Sequence, residues 1–591
     1  MQSFVVRWLL AGLVMAATSS GNDLAAEETA SQQFSKLLEE QWAYRLREDP
    51  LFATAVGDHA HDDLLPSISL ADCVRRHGED EKFLQRFEAI NRTKLSPTEQ
   101  INYDVFGRQL RDDAAEYRFG SHLIPISNRE GFHISFPELR REMPLFSVKD
   151  YEHYIARLRG FDAYAAGQIE LLREGIKQEK TLPAVIMQKW QGTVDPHIVD
   201  DPTRSLLYEP LVKFPAAIPA GEHERLRTAA KAAILQGVVP GYVRFRDFLR
   251  DEYVPHCRDS ISASALPDGR DFYRQRVKRF TTLEVTPDEV HQRGLSEVAR
   301  IRAEMEEVIR GSGFQGDFAA YVQHLRDEPS YYATSPEQLM KEASLILKKM
   351  DGQLPVLFGK LPRMSYGLRP VPDYVAPRTT SAYYQPPSGD GTRAGFFFLN
   401  TYNLKGRPLY ALESLALHEA VPGHHLQLAL QQELTDVPQF RRFSDCTAFI
   451  EGWALYAERL GLEAGFYEKP ESNFGRLSME MWRACRLVVD TGIHYFDWPR
   501  DKAIAFMQAN SAESLHNIEA EVDRYIGWPG QALAYKTGEL KIRELRVRAE
   551  QKLGAKFDLR AFHDAVLSGG AVPLDVLEGR MEEWIGGRIA K

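Results

Sequence analysis

The chain has 591 residues, of which 44% are apolar and 26% charged, and its formal net charge is −10. These proportions are typical of a globular protein, and the length suits one large domain or two lobes of a few hundred residues each. A negative net charge argues against a nucleic-acid partner, since nucleic-acid binding normally requires a basic surface.

The first 26 residues have the pattern of a secretory signal peptide. Arg7 supplies the positive charge, and the apolar run from Trp8 to Ala17 is too short to span a bilayer. No cysteine follows that run, which argues against a lipoprotein anchor; an uncleaved amino-terminal anchor is the alternative. No later segment is apolar over a transmembrane length. We therefore expect a soluble mature protein, periplasmic or secreted, without a membrane partner after cleavage.

The chain contains four cysteines, and none of them forms a Cys-x-x-Cys metal pair. Four cysteines in so long a chain do not make a disulfide scaffold. One or two bridges in an oxidising compartment and buried free thiols are both compatible with the sequence. The cysteines are Cys73, Cys257, Cys446 and Cys485.

The hydrophobic pattern predicts a mainly α-helical protein. Three segments share one helix-start signal, because Ser96, Thr286 and Ser335 are each followed by proline and then by Glu or Gln at the third helical position. This arrangement predicts a capping box at each start. Long helical patterns also follow Ser147 and Gly221. No repeat of fixed period is present.

The interval 361–395 is rich in proline and glycine and ends in a predicted strand at 396–401. We expect this strand to form a small β-sheet at the edge of the active-site cleft, where it would pair with an extended peptide. A domain boundary is predicted near 258–285. The predicted organisation is thus a signal peptide at 1–26, an amino-terminal helical lobe at 27–270 and a catalytic helical lobe at 271–591.

One stretch within the apolar helical run Leu412 to Leu430 carries the chemistry. Residues 418–425 read His-Glu-Ala-Val-Pro-Gly-His-His. In zinc hydrolases imidazoles bind the metal and a glutamate activates a metal-bound water, so this composition indicates a zinc site. Pro422 stands four residues after His418, so the usual His-Glu-x-x-His spacing is absent. The alternative is a broken structural helix, but three histidines and a glutamate on one apolar helix favour metal binding.

In a straight helix neither later histidine can share a metal ion with His418. His425 lies on the same face but about 10 Å along the axis, and His424 lies on a different face. Pro422 clashes with the carbonyl of His418, so we expect a kink or bulge, which Gly423 tolerates. If the bulge absorbs two residues, His424 becomes the second ligand. His425 then supports a ligand or contacts the substrate.

The helical segment that begins at Glu451 supplies a third candidate ligand. The other faces of this helix are apolar, so the carboxylate of Glu451 would be costly to bury without a partner such as zinc. Gly452 and Ala454 allow another helix to approach closely. Glu458 lies two turns further on and is expected to orient a ligand imidazole rather than bind the same ion. A solvated helix face is the alternative for both glutamates.

Hydrolysis of an amide over zinc needs a hydrogen-bond donor for the developing oxyanion. His494, Tyr525 and Tyr535 are candidates for this catalytic role. Each of them can equally be a structural residue.

Arg483 and Arg486 lie on one long helical pattern together with Asp490. The two arginines can bind a substrate carboxylate in a bidentate manner. Alternatively they pair with Asp490 and Glu480 on the same pattern.

Together these motifs resemble those of the bacterial domain of unknown function 885 family. The resemblance rests mainly on residues 418–425 and on Glu-Gly-Trp-Ala-Leu-Tyr-Ala-Glu at 451–458. Residues 53–59, 266–269, 490–494 and 525–532 also fit, so the resemblance covers nearly the whole mature chain.

That family is grouped with the gluzincin-type metallopeptidases, and the resemblance implies the roles of four residues. His418 and His424 would be ligands, Glu419 the general base and Glu451 the third ligand. The segment at Glu451 is similar to the Glu-Gly-Phe-Ala segment of aminopeptidase N-like enzymes. Dipeptidyl peptidase III resembles this chain in absorbing an insertion between its histidines through a helix bulge.

The sequence therefore predicts a mainly α-helical zinc metallopeptidase with one zinc ion per chain. Glu419 would deprotonate a zinc-bound water that attacks a peptide bond, and would return the proton to the leaving amine. Short peptides are the expected substrates. A zinc amidohydrolase that acts on a non-peptide amide is the nearest alternative. A non-catalytic peptide-binding protein of the same fold is the alternative from another class.

Overall fold

The computed structural model describes residues 28–373 and 375–590, so the predicted signal peptide at 1–26 lies outside the described residues. Within these ranges the protein is mainly α-helical with one three-stranded sheet, which confirms the predicted fold class. None of the described helices combines the length and the apolar character needed to cross a membrane. The four cysteines are free thiols rather than disulfides.

The α-helices are distributed along the whole of the described chain. In the first part they are α1 (Ala30–Glu48), α2 (Pro50–Val56), α3 (Leu70–Glu88), α4 (Pro97–Arg118), α5 (Phe132–Ser135), α6 (Leu139–Glu142), α7 (Val148–Lys177), α8 (Glu209–Val212), α9 (Ala220–Ala233) and α10 (Val239–Phe248). In the second part they are α11 (Gly269–Thr281), α12 (Pro287–Gly311), α13 (Phe318–Asp327), α14 (Pro336–Leu357), α15 (Leu412–Glu419), α16 (His424–Gln432), α17 (Gln439–Arg442), α18 (Thr447–Leu460), α19 (Pro470–His494), α20 (Arg500–Asn510), α21 (Leu515–Gly527), α22 (Ala534–Leu553), α23 (Leu559–Leu567) and α24 (Leu574–Ile589).

The predicted helix starts are confirmed, with one difference in detail. Reciprocal capping boxes form at Ser96, Thr286 and Ser147, at the beginnings of α4, α12 and α7. At Ser335 the hydroxyl caps α14, but the glutamine at the third position accepts a hydrogen bond from the amide of Thr334 instead. The box predicted there is therefore only half formed, although the helix begins at the predicted residue.

The sheet consists of β1 (Tyr366–Pro370), β2 (Ala382–Gln385) and β3 (Gly395–Leu399) in the spatial order β1-β3-β2. β3 corresponds to the strand predicted at 396–401, and it pairs in parallel with β1 and antiparallel with β2. We expected this strand to lie at the edge of the cleft and to pair with a peptide. That prediction was wrong, because β3 is the central strand and its backbone groups already pair with β1 and β2. Among the described strands, β1 and β2 are the edge strands, and each pairs with no strand on the side away from β3.

Two large apolar clusters form most of the core. One contains buried side chains from Ile126 to Ala532, and the other contains side chains from Phe34 to Ile585. Both clusters draw residues from either side of position 270. Neither of the predicted lobes at 27–270 and 271–591 therefore has a core made only of its own residues, and the boundary stays a prediction.

α19 lies in the interior of the protein. Every residue from Phe474 to His494 is buried, and the helix packs along α12. A helix that is buried on all sides is normally apolar all round, yet α19 carries several charged side chains. Glu480 finds partners in Lys536 at 2.8 Å and in Arg300, outside the pocket described below. The other charged side chains of α19 also need partners, because an unpaired buried charge is costly.

α18 and α22 approach each other closely at two facing glycines. A Cβ atom at Gly538 would lie 1.9 Å from the carbonyl oxygen of Ala448, and one at Gly452 would lie 2.5 Å from the backbone of Gly538. Side chains at these positions would separate the helices. The close approach expected from Gly452 is thus confirmed, and it fixes the position of the neighbouring Glu451.

We expect the substitution Gly538→Ala to destabilise the protein by about 1–3 kcal/mol, because the added methyl group overlaps the backbone of α18. Gly352→Ala in α14 is the matched control, since no atom lies within 4 Å of its Cβ position. The control should be neutral or stabilising by up to about 1 kcal/mol. Thermal unfolding of both variants tests this, and equal effects would contradict the steric explanation.

Candidate metal centre

The helix that contains the histidine motif is interrupted rather than bulged. α15 ends at Glu419 and α16 begins at His424, so residues 420–423 form a turn between them. The amide of Gly423 donates to the carbonyl of Leu417, six residues back, and the amide of His425 donates to that of residue 420, five residues back. The chain thereby loops out two residues relative to a regular helix, which is the number needed to realign His424.

The turn requires glycine at position 423. A Cβ atom on Gly423 would lie 2.0 Å from the carbonyl oxygen of His418, which no side chain can accept. The neighbouring residue of the turn contacts α18, because the indole Nε1 of Trp453 donates to the carbonyl of Pro422 at 2.8 Å. The turn is therefore shaped by a close backbone contact on one side and a buried hydrogen bond on the other.

The interruption brings three ligand atoms together. One atom each from His418, His424 and Glu451 all lie within 4.8 Å of one another. The Oε2 atom of Glu451 lies 3.6 Å from Nε2 of His418 and 3.5 Å from Nε2 of His424. Tetrahedral ligands with bonds of about 2.0–2.1 Å stand about 3.4 Å apart. The geometry therefore suits one zinc-sized ion, with His424 rather than His425 beside His418.

Glu458 fixes the orientation of the first histidine. Its Oε1 atom lies 2.7 Å from Nδ1 of His418, and its Oε2 atom accepts from the hydroxyl of Ser414 at 2.5 Å. This contact makes Nδ1 the donor and directs Nε2 at the ligand cluster. Burial alone lowers the pKa of His418, but the carboxylates of Glu451 and Glu458 raise it to about 9. The orienting role expected for Glu458 is thus visible in its contacts.

Two further glutamates differ in their surroundings. The Oε2 atom of Glu451 is buried, and no donor among the described residues forms a hydrogen bond with it. Burial raises the pKa of Glu451, but the imidazoles of His424 and His418 hold it well below its usual range. Glu419 lines the pocket beside them, and burial raises its pKa. Glu451 thus faces the two imidazoles with its Oε2 atom, and Glu419 is a second carboxylate in the pocket beside them.

His425 supports the wall of the pocket and does not belong to the cluster of candidate metal ligands. Its Nε2 atom lies 3.0 Å from the carbonyl of Met364, so Nε2 carries the hydrogen and Nδ1 accepts from the hydroxyl of Tyr384 at 2.7 Å. Burial lowers the pKa of His425 to about 4, which keeps the ring neutral. His425 therefore holds Tyr384 in place, and Tyr384 stands in the pocket wall with its ring centroid 6.4 Å from that of His424.

The ligand cluster opens into a pocket of about 410 Å³. This volume lies within the range of sites for small molecules. Its walls are formed by residues 127–130, by the segment 380–384, which contains most of β2, and by residues of α15, α16, α18, α19, α21 and α22. A few residues of an extended peptide would fit there, but a folded protein would not.

Of the three predicted oxyanion donors, the structure brings only Tyr535 to the pocket. Tyr525 is buried behind the wall, where its hydroxyl donates to Glu521 at 3.0 Å. His494 is buried at the end of α19 and is committed to the backbone. Its Nδ1 accepts from the amide of Ala263, and its Nε2 donates to the carbonyl of Tyr525. Tyr525 and His494 thus have structural contacts, away from the metal ligands.

The two predicted arginines do line the pocket, but neither alternative pairing on α19 occurs. Arg483 lies 3.4 Å from Glu458, and Arg486 donates to Glu521 at 2.8 Å. Asp490 instead accepts hydrogen bonds from a tyrosine hydroxyl and a backbone amide. The carboxylates that pair with the arginines therefore come from other helices.

The pocket residues that were not found from the sequence include Tyr384, Arg129 and Arg524. Tyr384 lies in the turn-rich interval, where an aromatic residue gives no periodic signal. Arg524 directly precedes Tyr525 in α21. The sequence therefore identified the correct turn of this helix but selected the residue that faces away from the pocket. Arg129 reaches the site from a loop that is distant in sequence, and no local pattern marks it.

Comparisons with solved structures and with family models show what this chain is similar to. A "putative lipoprotein" from Colwellia psychrerythraea has a TM-score of 0.90 and 29% sequence identity, over 95% of this chain and 100% of that one. A "putative lipoprotein of unknown function" from Shewanella oneidensis has a TM-score of 0.68 and 19% identity, over 94% and 100% respectively, and shows the fold alone. A search of the curated proteins found no match. The model of the family described as bacterial protein of unknown function (DUF885) matches residues 50–581, and the chain therefore belongs to that family.

Proposed function

We propose that this protein is a secreted or periplasmic zinc-dependent hydrolase that cleaves peptide bonds of short peptides. The proposal is carried by the convergence of His418, His424 and Glu451 at distances that suit a tetrahedral ion. Two imidazoles and one carboxylate form a donor set of catalytic zinc sites, which keep a fourth position open. The predicted signal peptide and the similar solved protein from Colwellia psychrerythraea, described as a "putative lipoprotein", support the location.

The donor set fits zinc for a second reason. The buried Oε2 of Glu451 has no hydrogen-bond donor among the described residues, and a buried carboxylate oxygen without a partner is costly. Zinc would be held by Nε2 of His418, Nε2 of His424 and this oxygen. When bound, the ion would supply Lewis acidity, which polarises a carbonyl and acidifies water.

The residues of the chain divide the remaining chemistry between them. Glu419 accepts a proton from the attacking water and returns it to the leaving nitrogen, because its carboxylate faces the pocket next to the ligands. Glu458 keeps the His418 ring in one orientation. Tyr535 is the proposed donor to the carbonyl oxygen as negative charge develops on it, because it lines the pocket and its hydroxyl accepts from Arg524 at 3.1 Å, whereas the proton of Tyr384 is donated to His425.

The proposed substrate class follows from the shape of the pocket and its wall. The segment 380–384 lines the pocket, and β2, which begins within it, pairs only with β3 among the described strands. The other edge of β2 is therefore free to bind the backbone of an extended peptide. This assigns to β2 the role that the sequence predicted for β3.

The metal content of the purified protein tests the ligand set. We expect about one zinc per chain in the wild type, because three ligands converge on one position, and its loss in His424→Ala. His425→Ala is the matched control, since His425 contacts Tyr384 and a backbone carbonyl instead. Elemental analysis of the three proteins measures this. A wild type that takes up no zinc when zinc is supplied would contradict the proposal.

Glu419→Gln should lower kcat for peptide hydrolysis by about 10²- to 10⁴-fold while zinc and peptide still bind, because the amide cannot accept the proton. The assay is hydrolysis of unmodified di- to decapeptides, followed by mass spectrometry. Cleavage of these peptides also separates a peptidase from an amidohydrolase that acts on non-peptide amides. A variant with undiminished turnover would show that Glu419 is not the base.

Glu458→Gln should weaken zinc binding by about 10- to 100-fold, because the ring of His418 loses its charged hydrogen-bond partner. Competition with a chelator measures the affinity. Glu539→Gln is the control, since Glu539 is equally buried and ion-paired but lies outside the pocket. Equal losses of zinc affinity in both variants would point to a general loss of stability.

A further inference from the structure

We infer that Arg483 and Arg486 bind a carboxylate group of the substrate, so that the hydrolase selects peptides that present a carboxylate near the cleaved bond. The C-terminal carboxylate of a short peptide is one source of this group, and an acidic side chain is the other. The inference rests on the proposed function and specifies its substrate class.

The first observation is that both arginines have unused donors in the pocket wall. Arg483 and Arg486 are only 4% and 2% exposed, and both line the pocket. Among the described residues, no partner accepts a hydrogen bond from Nε of Arg483 or from Nη1 of Arg486, although both atoms are buried. A buried donor without an acceptor is costly, and a guanidinium matches the two oxygens of a carboxylate. Because these two arginines line the pocket, a substrate carboxylate bound there is the acceptor proposed for them.

The second observation is that the guanidinium groups are held in place before any ligand arrives. Arg486 donates from Nε to the hydroxyl of Tyr525 at 3.0 Å and from Nη2 to Glu521 at 2.8 Å. Its Cζ atom also lies 4.6 Å from the ring centroid of Trp482. Arg483 donates from Nη1 to the carbonyl of Met479 at 3.1 Å. Groups that are already ordered lose little entropy when a ligand binds.

The third observation is an excess of positive charge at this wall. Glu521 is shared by Arg129 at 3.1 Å, Arg486 at 2.8 Å and Arg524 at 3.8 Å. All three arginines line the pocket, whereas one carboxylate balances them from behind. The further carboxylate on this side, Glu130, is exposed. An anionic substrate group is therefore favoured here over a neutral one.

The fourth observation sets the position of the bound carboxylate relative to the reaction. The Oε1 atom of Glu458 contacts both Nδ1 of His418 at 2.7 Å and Nη2 of Arg483 at 3.4 Å. Only the side chain of Glu458 thus separates Arg483 from His418, which is a proposed metal ligand. Arg486 lies one turn further along α19. A carboxylate bound there lies close to the cleaved bond, which indicates cleavage near the end of a peptide.

The test compares three forms of one short peptide with otherwise uncharged side chains. The first form has a free C-terminus, the second a C-terminal amide, and the third a C-terminal amide on a final glutamate. For the zinc-supplied wild type we expect kcat/KM to be about 10- to 100-fold higher for the free acid than for the plain amide, as charge-assisted hydrogen bonds require. Recovery of this advantage by the third form would identify a side chain as the source of the carboxylate.

Arg486→Gln should bring the ratio of acid to amide kcat/KM close to one. Arg486→Lys keeps a charge beside Glu521 but loses the planar fork, so it should retain only part of the ratio. Arg441→Gln is the matched control. Arg441 is 1% exposed and hydrogen-bonded to Asn102, outside the pocket, and its loss should leave the ratio unchanged even if stability falls.

Binding to the Glu419→Gln protein, measured by calorimetry with the acid and the amide, separates the two proposals. Hydrolysis of acid and amide at equal rates would overturn the carboxylate site while the hydrolase stands. Tighter binding of the acid without hydrolysis by the wild type would keep the carboxylate site and overturn the hydrolase. Equal binding of both forms together with equal hydrolysis would leave the arginines a structural role only.

Discussion

The interruption between α15 and α16 is the constraint on which the candidate site depends. In a continuous helix His418 and His424 would lie on different faces. The turn at 420–423 loops out two residues, so that His424 returns to the face of His418. The turn requires glycine at position 423, because a Cβ atom there would overlap the carbonyl of His418. Within the break, hydrogen bonds from Gly423 and His425 to carbonyls six and five residues back replace two of the regular ones.

The proposed third ligand couples this local break to the packing of distant helices. Glu451 lies on α18, and Trp453 on the same helix donates to the carbonyl of Pro422 inside the turn. The position of α18 is set from its other side by the contact of Gly452 with Gly538 on α22. The ligand distances of 3.5 and 3.6 Å thus depend on helix packing as well as on the motif. Such support from the surrounding structure is what a precise metal site requires.

The sequence identified what local patterns determine, and it failed where tertiary placement decides. Helix starts and the histidine motif follow from spacing, so α4, α12 and the ligand set were within reach of sequence reasoning. The order of strands in a sheet is not encoded locally, and β3 was therefore expected at an edge. The phase of α21 relative to its neighbours is also a tertiary property. Arg524 consequently faces the pocket while Tyr525, the predicted residue, faces the interior.

The buried charges of α19 link the proposed chemistry to the proposed substrate preference. Arg483 and His418 share one oxygen of Glu458, so the group that orients a metal ligand also holds an arginine of the pocket wall. Burying these charges is unfavourable unless each is paired, and well-packed apolar residues would serve stability alone equally well. Yet Arg486 and Arg483 each keep a buried donor without an acceptor among the described residues. Because both arginines line the pocket beside His418 and His424, their proposed role in binding an anionic substrate group accounts for buried charges that stability alone does not require.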